Sequence, residues 1–128
     1  MILIASSGYR RPFSKKKSYP GVYGPVIALT AVDRTERSAR FATASGCIYF
    51  AAPGLGIWTA VPGGGKAMSG TSFAAPVVTA YVSAAQSKLS LKTVGEIRAH
   101  LRKHTKGRGK PGRERYMRWG LLELPPLC

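Results

Sequence analysis

Ser72 is the residue whose surroundings could do chemistry. It lies in the run Ser69-Gly70-Thr71-Ser72-Phe73-Ala74-Ala75-Pro76. Gly70 permits a tight turn where a side chain would obstruct the backbone or a bound substrate. From Phe73 to Lys88 the chain is rich in apolar residues and helix formers, so Ser72 is expected where a helix begins. A helix start carries unpaired N–H groups and a partial positive charge. A serine there can attack a carbonyl while its own backbone N–H stabilises the anion that forms. Pro76 fits only near the first turn, because deeper in a helix it would break the hydrogen-bond ladder. The plain alternative is an ordinary loop and helix cap, which is all that Gly-Thr-Ser by itself signals.

A serine nucleophile needs a base, since a hydroxyl is weak at its own pKa. No histidine precedes Ser72; His100 and His104 both follow it, and Asp33 is the one aspartate. Gly70 to Ala74 is one residue away from the Gly-x-Ser-x-Gly elbow, whose triad order is Ser, acid, His, and Glu96 with His100 formally completes that order. An elbow needs a strand directly before it, and Lys66 to Ser69 reads as a poor one. Glu96 and His100 also stand four apart on one expected helix, where a surface pair explains them. Gly65-Lys66 invites a phosphate-loop reading, but Ala60 and Ala67 occupy the positions of its first glycine and its hydroxyl.

The elements that must position Ser72 follow from pattern. Met1 to Ser7 is a short apolar run closed by small residues, the end of a buried strand. Tyr19-Pro20-Gly21-Val22-Tyr23 is a turn leading into a strand from Val26 to Val32. Asp33 to Arg40 is polar and charged, a loop or hairpin tip. Phe41 to Ser45, Cys47 to Ala52 and Ile57 to Val61 are further strand candidates, and Pro62-Gly63-Gly64-Gly65 breaks the last. The helix from Phe73 to Lys88 is apolar nearly all round, so it is expected to be buried. Thr93-Val94-Gly95-Glu96 has capping-box spacing, with Val94, Ile97 and Leu101 on one face and basic residues in the last turn. Gly107 is the expected stop. Thr105 to Arg118 is a basic, glycine-containing loop, and Tyr116 to Leu124 returns to apolar packing.

The 128 residues are enough for one domain with a core, and a 45% hydrophobic content argues against disorder. The net charge of +15 favours contact with anionic partners and says nothing about fold. Arg10 to Tyr19, with Lys15-Lys16-Lys17, reads as a solvated loop. The lysines and arginines show no nucleic-acid motif and no interleaved aromatics, so nucleic acid is disfavoured as the partner. Cys47 and Cys128 are too few for a disulfide framework and read as free thiols. No apolar run approaches a membrane span, and no ligand-spaced cluster implies a metal. Met1 to Ala5 is too short for a signal peptide and its basic residues follow the apolar run, which leaves the compartment open.

The full run from Ser69 to Pro76 resembles the nucleophile turn of the subtilisin-like serine proteases. Val26 to Asp33 is similar to that family's buried strand ending in an acid, and Ala51-Ala52-Pro53-Gly54 to its Ala-Ala-Pro-Gly turn. Lys110 to Arg113 and Trp119 to Leu122 resemble its closing segment. The resemblance covers almost the whole chain but only the second half of the family's catalytic domain. It implies an α/β, three-layer fold with a parallel sheet, of which residues 1–128 are the C-terminal half, running from the strand before the oxyanion position to the closing segment. The activity implied is peptide-bond hydrolysis through an acyl-enzyme. Ser72 would be the nucleophile and its N–H one oxyanion donor, with Gly70 and Thr71 forming the turn. Tyr9 stands at the family's asparagine, the second donor, because Ser6-Ser7-Gly8-Tyr9 replaces Ala-Ala-Gly-Asn. No cofactor is implied. The partners implied are a peptide or protein substrate and an N-terminal half supplying the Asp and His; alone, the chain is expected to be inactive. A degenerate protease remnant and a non-catalytic basic binding module are the other readings.

Overall fold

The computed structural model describes residues 1–9, 18–37, 39, 48–107 and 119–126. The chain is α/β. Five strands form one sheet in the order β1-β2-β3-β7-β6, with β1 at Ile4–Ser6, β2 at Ile27–Val32, β3 at Ile48–Pro53, β6 at Thr105–Lys106 and β7 at Leu121–Leu122. The first four run parallel and β6 returns antiparallel to β7. Every residue of β2 is buried, as a strand covered on both faces requires, and its sequence is apolar apart from Thr30.

Helix α1, Thr71–Leu89, lies against β1, β2 and β3. It differs from the sequence expectation in two ways. It begins two residues earlier, which puts Ser72 second in the helix and Pro76 in its second turn. Pro76 has no N–H to give the Ser72 carbonyl, and the helix continues past it. It is also buried along one stripe only: Thr71, Ala74, Val78, Val82 and Ala85. Val77 is 40% exposed. The helix is apolar nearly all round, with Ser72, Thr79, Ser83 and Gln86 along one exposed or half-buried stripe; which apolar face is covered depends on the sheet it packs against.

Helix α2, Val94–Lys103, has the capping box: the Glu96 N–H donates to Thr93 Oγ1 at 3.1 Å, and Glu96 Oε2 accepts from the Thr93 N–H at 2.8 Å. Ile97 and Leu101 are buried beneath it. Two arginines fasten its outer side. The Arg98 guanidinium lies 4.4 Å from the Tyr49 ring centroid and donates to the carbonyls of Val26, at 3.0 Å, and Gly24. Arg102 lies 5.4 Å from the Trp119 ring centroid. The helix stops at His104, whose N–H bonds the Leu101 carbonyl, and not at Gly107; β6 intervenes.

Strands β4 (Ile57–Val61) and β5 (Gly64–Met68) form a separate antiparallel hairpin. The expected poor strand before Ser69 is therefore a strand. Its glycine, alanine and lysine have little β-propensity, and pairing with β4 is what holds it. It is exposed throughout and lies outside the parallel sheet, so it is not the strand of a hydrolase elbow. The expectations for Lys15 to Lys17, Phe41 to Ser45, Cys47, Lys110 to Arg118 and Cys128 fall outside the described residues.

Candidate active site

The turn that carries Ser72 is tied to the end of β3. The Gly54 N–H donates to the Val32 carbonyl at 3.1 Å, and the Gly54 carbonyl accepts from the Gly70 N–H at 2.8 Å. The Gly56 N–H donates to Ser69 Oγ at 2.9 Å. Two backbone segments thus meet at Gly54 and Gly70. A methyl group on Gly54 would sit 2.7 Å from the Ala31 Cβ and 2.8 Å from the Gly70 carbonyl oxygen, so only glycine allows this approach. Sequence reasoning gave Gly54 no such role; the Ala-Ala-Pro-Gly run was its one signal.

Gly70 caps α1 with extended backbone, φ 173°, which any residue adopts. Glycine is needed there for close approach, because the Tyr9 hydroxyl lies where a Cβ would be. The Gly70 carbonyl accepts from the Phe73 N–H at 3.1 Å. Thr71 is fully buried, and Ser72 beside it is exposed. No acidic residue occupies the first turn of α1, so the positive end of the helix dipole is not neutralised within the helix.

Tyr9 reaches the turn from the far end of β1. Past the strand, the Ser7 N–H still bonds the Leu29 carbonyl at 2.7 Å. Gly8 then turns the chain at φ 78°, a conformation that side chains rarely adopt. The structure brings Tyr9, Gly70, Thr71 and Ser72 together.

His100 lies elsewhere. Its Nε2 is 2.9 Å from the Tyr81 hydroxyl, and its ring packs edge-on against His104. Tyr81 is nine residues beyond Ser72 on α1, roughly 13 Å at 1.5 Å per residue, so His100 is beyond hydrogen-bond reach of Ser72. Burial, helped by the charges of His104 and Lys103, lowers the His100 pKa. Glu96 is occupied in the capping box. Backbone hydrogen bonds from Lys92 and Thr93 hold its carboxyl below the usual range. Neither residue serves Ser72 as a base.

A mostly parallel sheet, a glycine turn and a serine at the start of a long helix define the class as an α/β fold. The Peptidase_S8 model of the Subtilase family matches residues 1–120, and the chain belongs to that family. It is 29% identical over 124 residues to the Minor extracellular protease Epr of Bacillus subtilis (strain 168), covering 96% of this chain and 19% of that protein. It is 29% identical over 103 residues to the Alkaline elastase YaB of Bacillus sp. (strain YaB), covering 80% of this chain and 27% of that one. The prenylagaramide maturation protease PagA shares the fold at a TM-score of 0.77 and 24% identity, over 96% of this chain and 48% of PagA. The chain therefore spans about a fifth to a quarter of the curated relatives and about half of the solved one.

Proposed function

We propose that Ser72 is the nucleophile of a serine endopeptidase site whose general base is supplied from outside these residues. What supports this reading above all is the convergence of an exposed Ser72 at the start of α1 with the Tyr9 hydroxyl above Gly70. In the reaction the Ser72 hydroxyl adds to the scissile carbonyl and loses its proton to a histidine. The carbonyl oxygen becomes an oxyanion facing the Ser72 N–H and the Tyr9 hydroxyl. Collapse expels the amine, which takes the proton, and leaves an acyl-serine. Water then repeats the sequence to release the acid.

Among the described residues no histidine lies within reach of Ser72. Removing the histidine and aspartate from such a triad leaves only the residual rate of binding and the oxyanion hole. The isolated chain is thus a nucleophile-bearing part of an enzyme, and a partner segment bearing Asp and His would complete it. The test is hydrolysis of a chromogenic peptide by the chain alone and after addition of the N-terminal half of a subtilase domain. The expected outcome is no turnover alone, and turnover in the mixture that Ser72→Ala abolishes. Turnover by the isolated chain, or turnover in the mixture that survives Ser72→Ala, would sink the reading.

A further inference from the structure

A concavity lies at the C-terminal ends of β2, β3 and β7, with a volume of about 460 Å³. Its floor is apolar, made of Val32, Leu121 and Leu122. Asp33, Glu36 and Glu123 also line it, three of the five carboxylates in a chain with 20 lysines and arginines. Against them stands one guanidinium, Arg34.

Trp58 closes one wall and is 75% exposed. Its indole is laid against Gly65 of the hairpin, where a methyl group would come 2.5 Å from the ring nitrogen. Contact with Gly65 fixes the indole while most of its surface stays in solvent. An aromatic face is thereby left open at the cavity wall, where a planar cation could stack on it.

We propose that this cavity takes the arginine side chain of a peptide segment, with the guanidinium stacked on Trp58 and paired with Glu123. The volume is in the range of ligand pockets. A guanidinium is planar, stacks on indole and forks onto a carboxylate, which an ammonium does not do. Glu123 is available for exchange. Its partner Lys106, at 3.2 Å, is 51% exposed and Glu123 is 57% exposed, a surface pair of little strength. The Asp33 charge is fixed. Its Oδ1 accepts from the Arg37 N–H at 3.0 Å and from the Thr35 N–H and hydroxyl at 2.7 Å each, which holds the carboxyl below the usual range. The aliphatic stem of the arginine would cover the leucines of the floor. Overall charge works against a basic peptide here, so attraction must come from this local site. The inference does not depend on Ser72 being a nucleophile, because its readout is binding.

The test immobilises the chain on a neutral surface and passes acetylated, amidated pentapeptides over it. One has a central arginine between leucines, and its twin has citrulline, which keeps the shape and removes the charge. The arginine peptide is expected to bind saturably at micromolar to millimolar concentration, and the citrulline peptide about five-fold or more weakly. Trp58→Ala and Glu123→Gln, both at exposed positions and checked for folding by circular dichroism, are each expected to weaken the arginine peptide roughly two- to five-fold. Equal binding of the two peptides, no saturation, or unchanged affinity in either variant would overturn the proposal.

Discussion

At the scale of single residues, the account rests on two close approaches. Gly54 lets β3 meet the Ser72 turn, and Gly70 lets Tyr9 meet it. Gly54→Ala would drive a methyl group into backbone as well as into Ala31. Overpacking of this kind costs about 1–3 kcal/mol, and the Gly70 carbonyl cannot move without the turn, so the upper part of that range is expected in urea unfolding. A cost within error of zero would show that the turn is not held there. Tyr9→Phe keeps the ring and removes the hydroxyl. In a reconstituted enzyme it is expected to lower kcat by on the order of 10²-fold with KM little changed, the effect of losing one oxyanion donor. An unchanged kcat would remove Tyr9 from the site. Ser72 and Gly70 were legible in the sequence because their motif is contiguous. The reach of Tyr9 and the need for Gly54 were not, because each depends on a segment distant in the chain. The same holds for the cavity carboxylates, which come from opposite ends of the sequence.

Among elements, the start of α2 was legible because a capping box is a local pattern, whereas its stop was not, since β6 lies before Gly107. Thr93→Ala is expected to cost about 1 kcal/mol in unfolding free energy. The exposure of α1 was not legible, because the sheet that covers one face of it is distant in sequence. The pairing of β5 with neighbouring β4 was missed because its glycines, lysine and alanine have little β-propensity. The contact between the two helices has its own pH dependence. His100 has a folded pKa below its ordinary value of 6.5, so the fold favours the neutral imidazole, to which the Tyr81 hydroxyl can donate. The stability this gives is present above about pH 6.5 and is lost as pH falls through the folded value. Glu96 acts in the same direction but below its ordinary value of 4.5, in a separate window. Thermal melts from about pH 7.5 to pH 5 should show a falling Tm, with a shallower fall in His100→Gln. Identical slopes would mean that the histidine is not the titrating group.

For the whole molecule, the features that matter are the sheet edge at β1, with which no described strand pairs on its outer side, and a large positive charge. Among the described residues β1 ends the sheet, Leu3 beside it is 46% exposed, and Val77 on α1 is exposed as well. An open edge with apolar neighbours is a template for pairing. The chain on its own is expected to self-associate in sedimentation velocity, and Leu3→Lys to reduce this. A monodisperse monomer that unfolds cooperatively would show that the edge needs no partner. The charge of +15 predicts weak nucleic-acid binding that falls steeply with salt and shows no sequence preference. Tight binding of one preferred oligonucleotide at physiological salt would favour the basic binding module over the peptidase part.

The claim at the centre is that Ser72 is a nucleophile awaiting its base. The most direct measurement is intact-mass spectrometry after exposure to a fluorophosphonate, which adds once to an activated serine. The chain alone should show no adduct. With the N-terminal half of a subtilase domain present, a single adduct should form on Ser72 and disappear in Ser72→Ala. Stoichiometric labelling of Ser72 in the isolated chain, or an adduct at another residue in the mixture, would contradict the account.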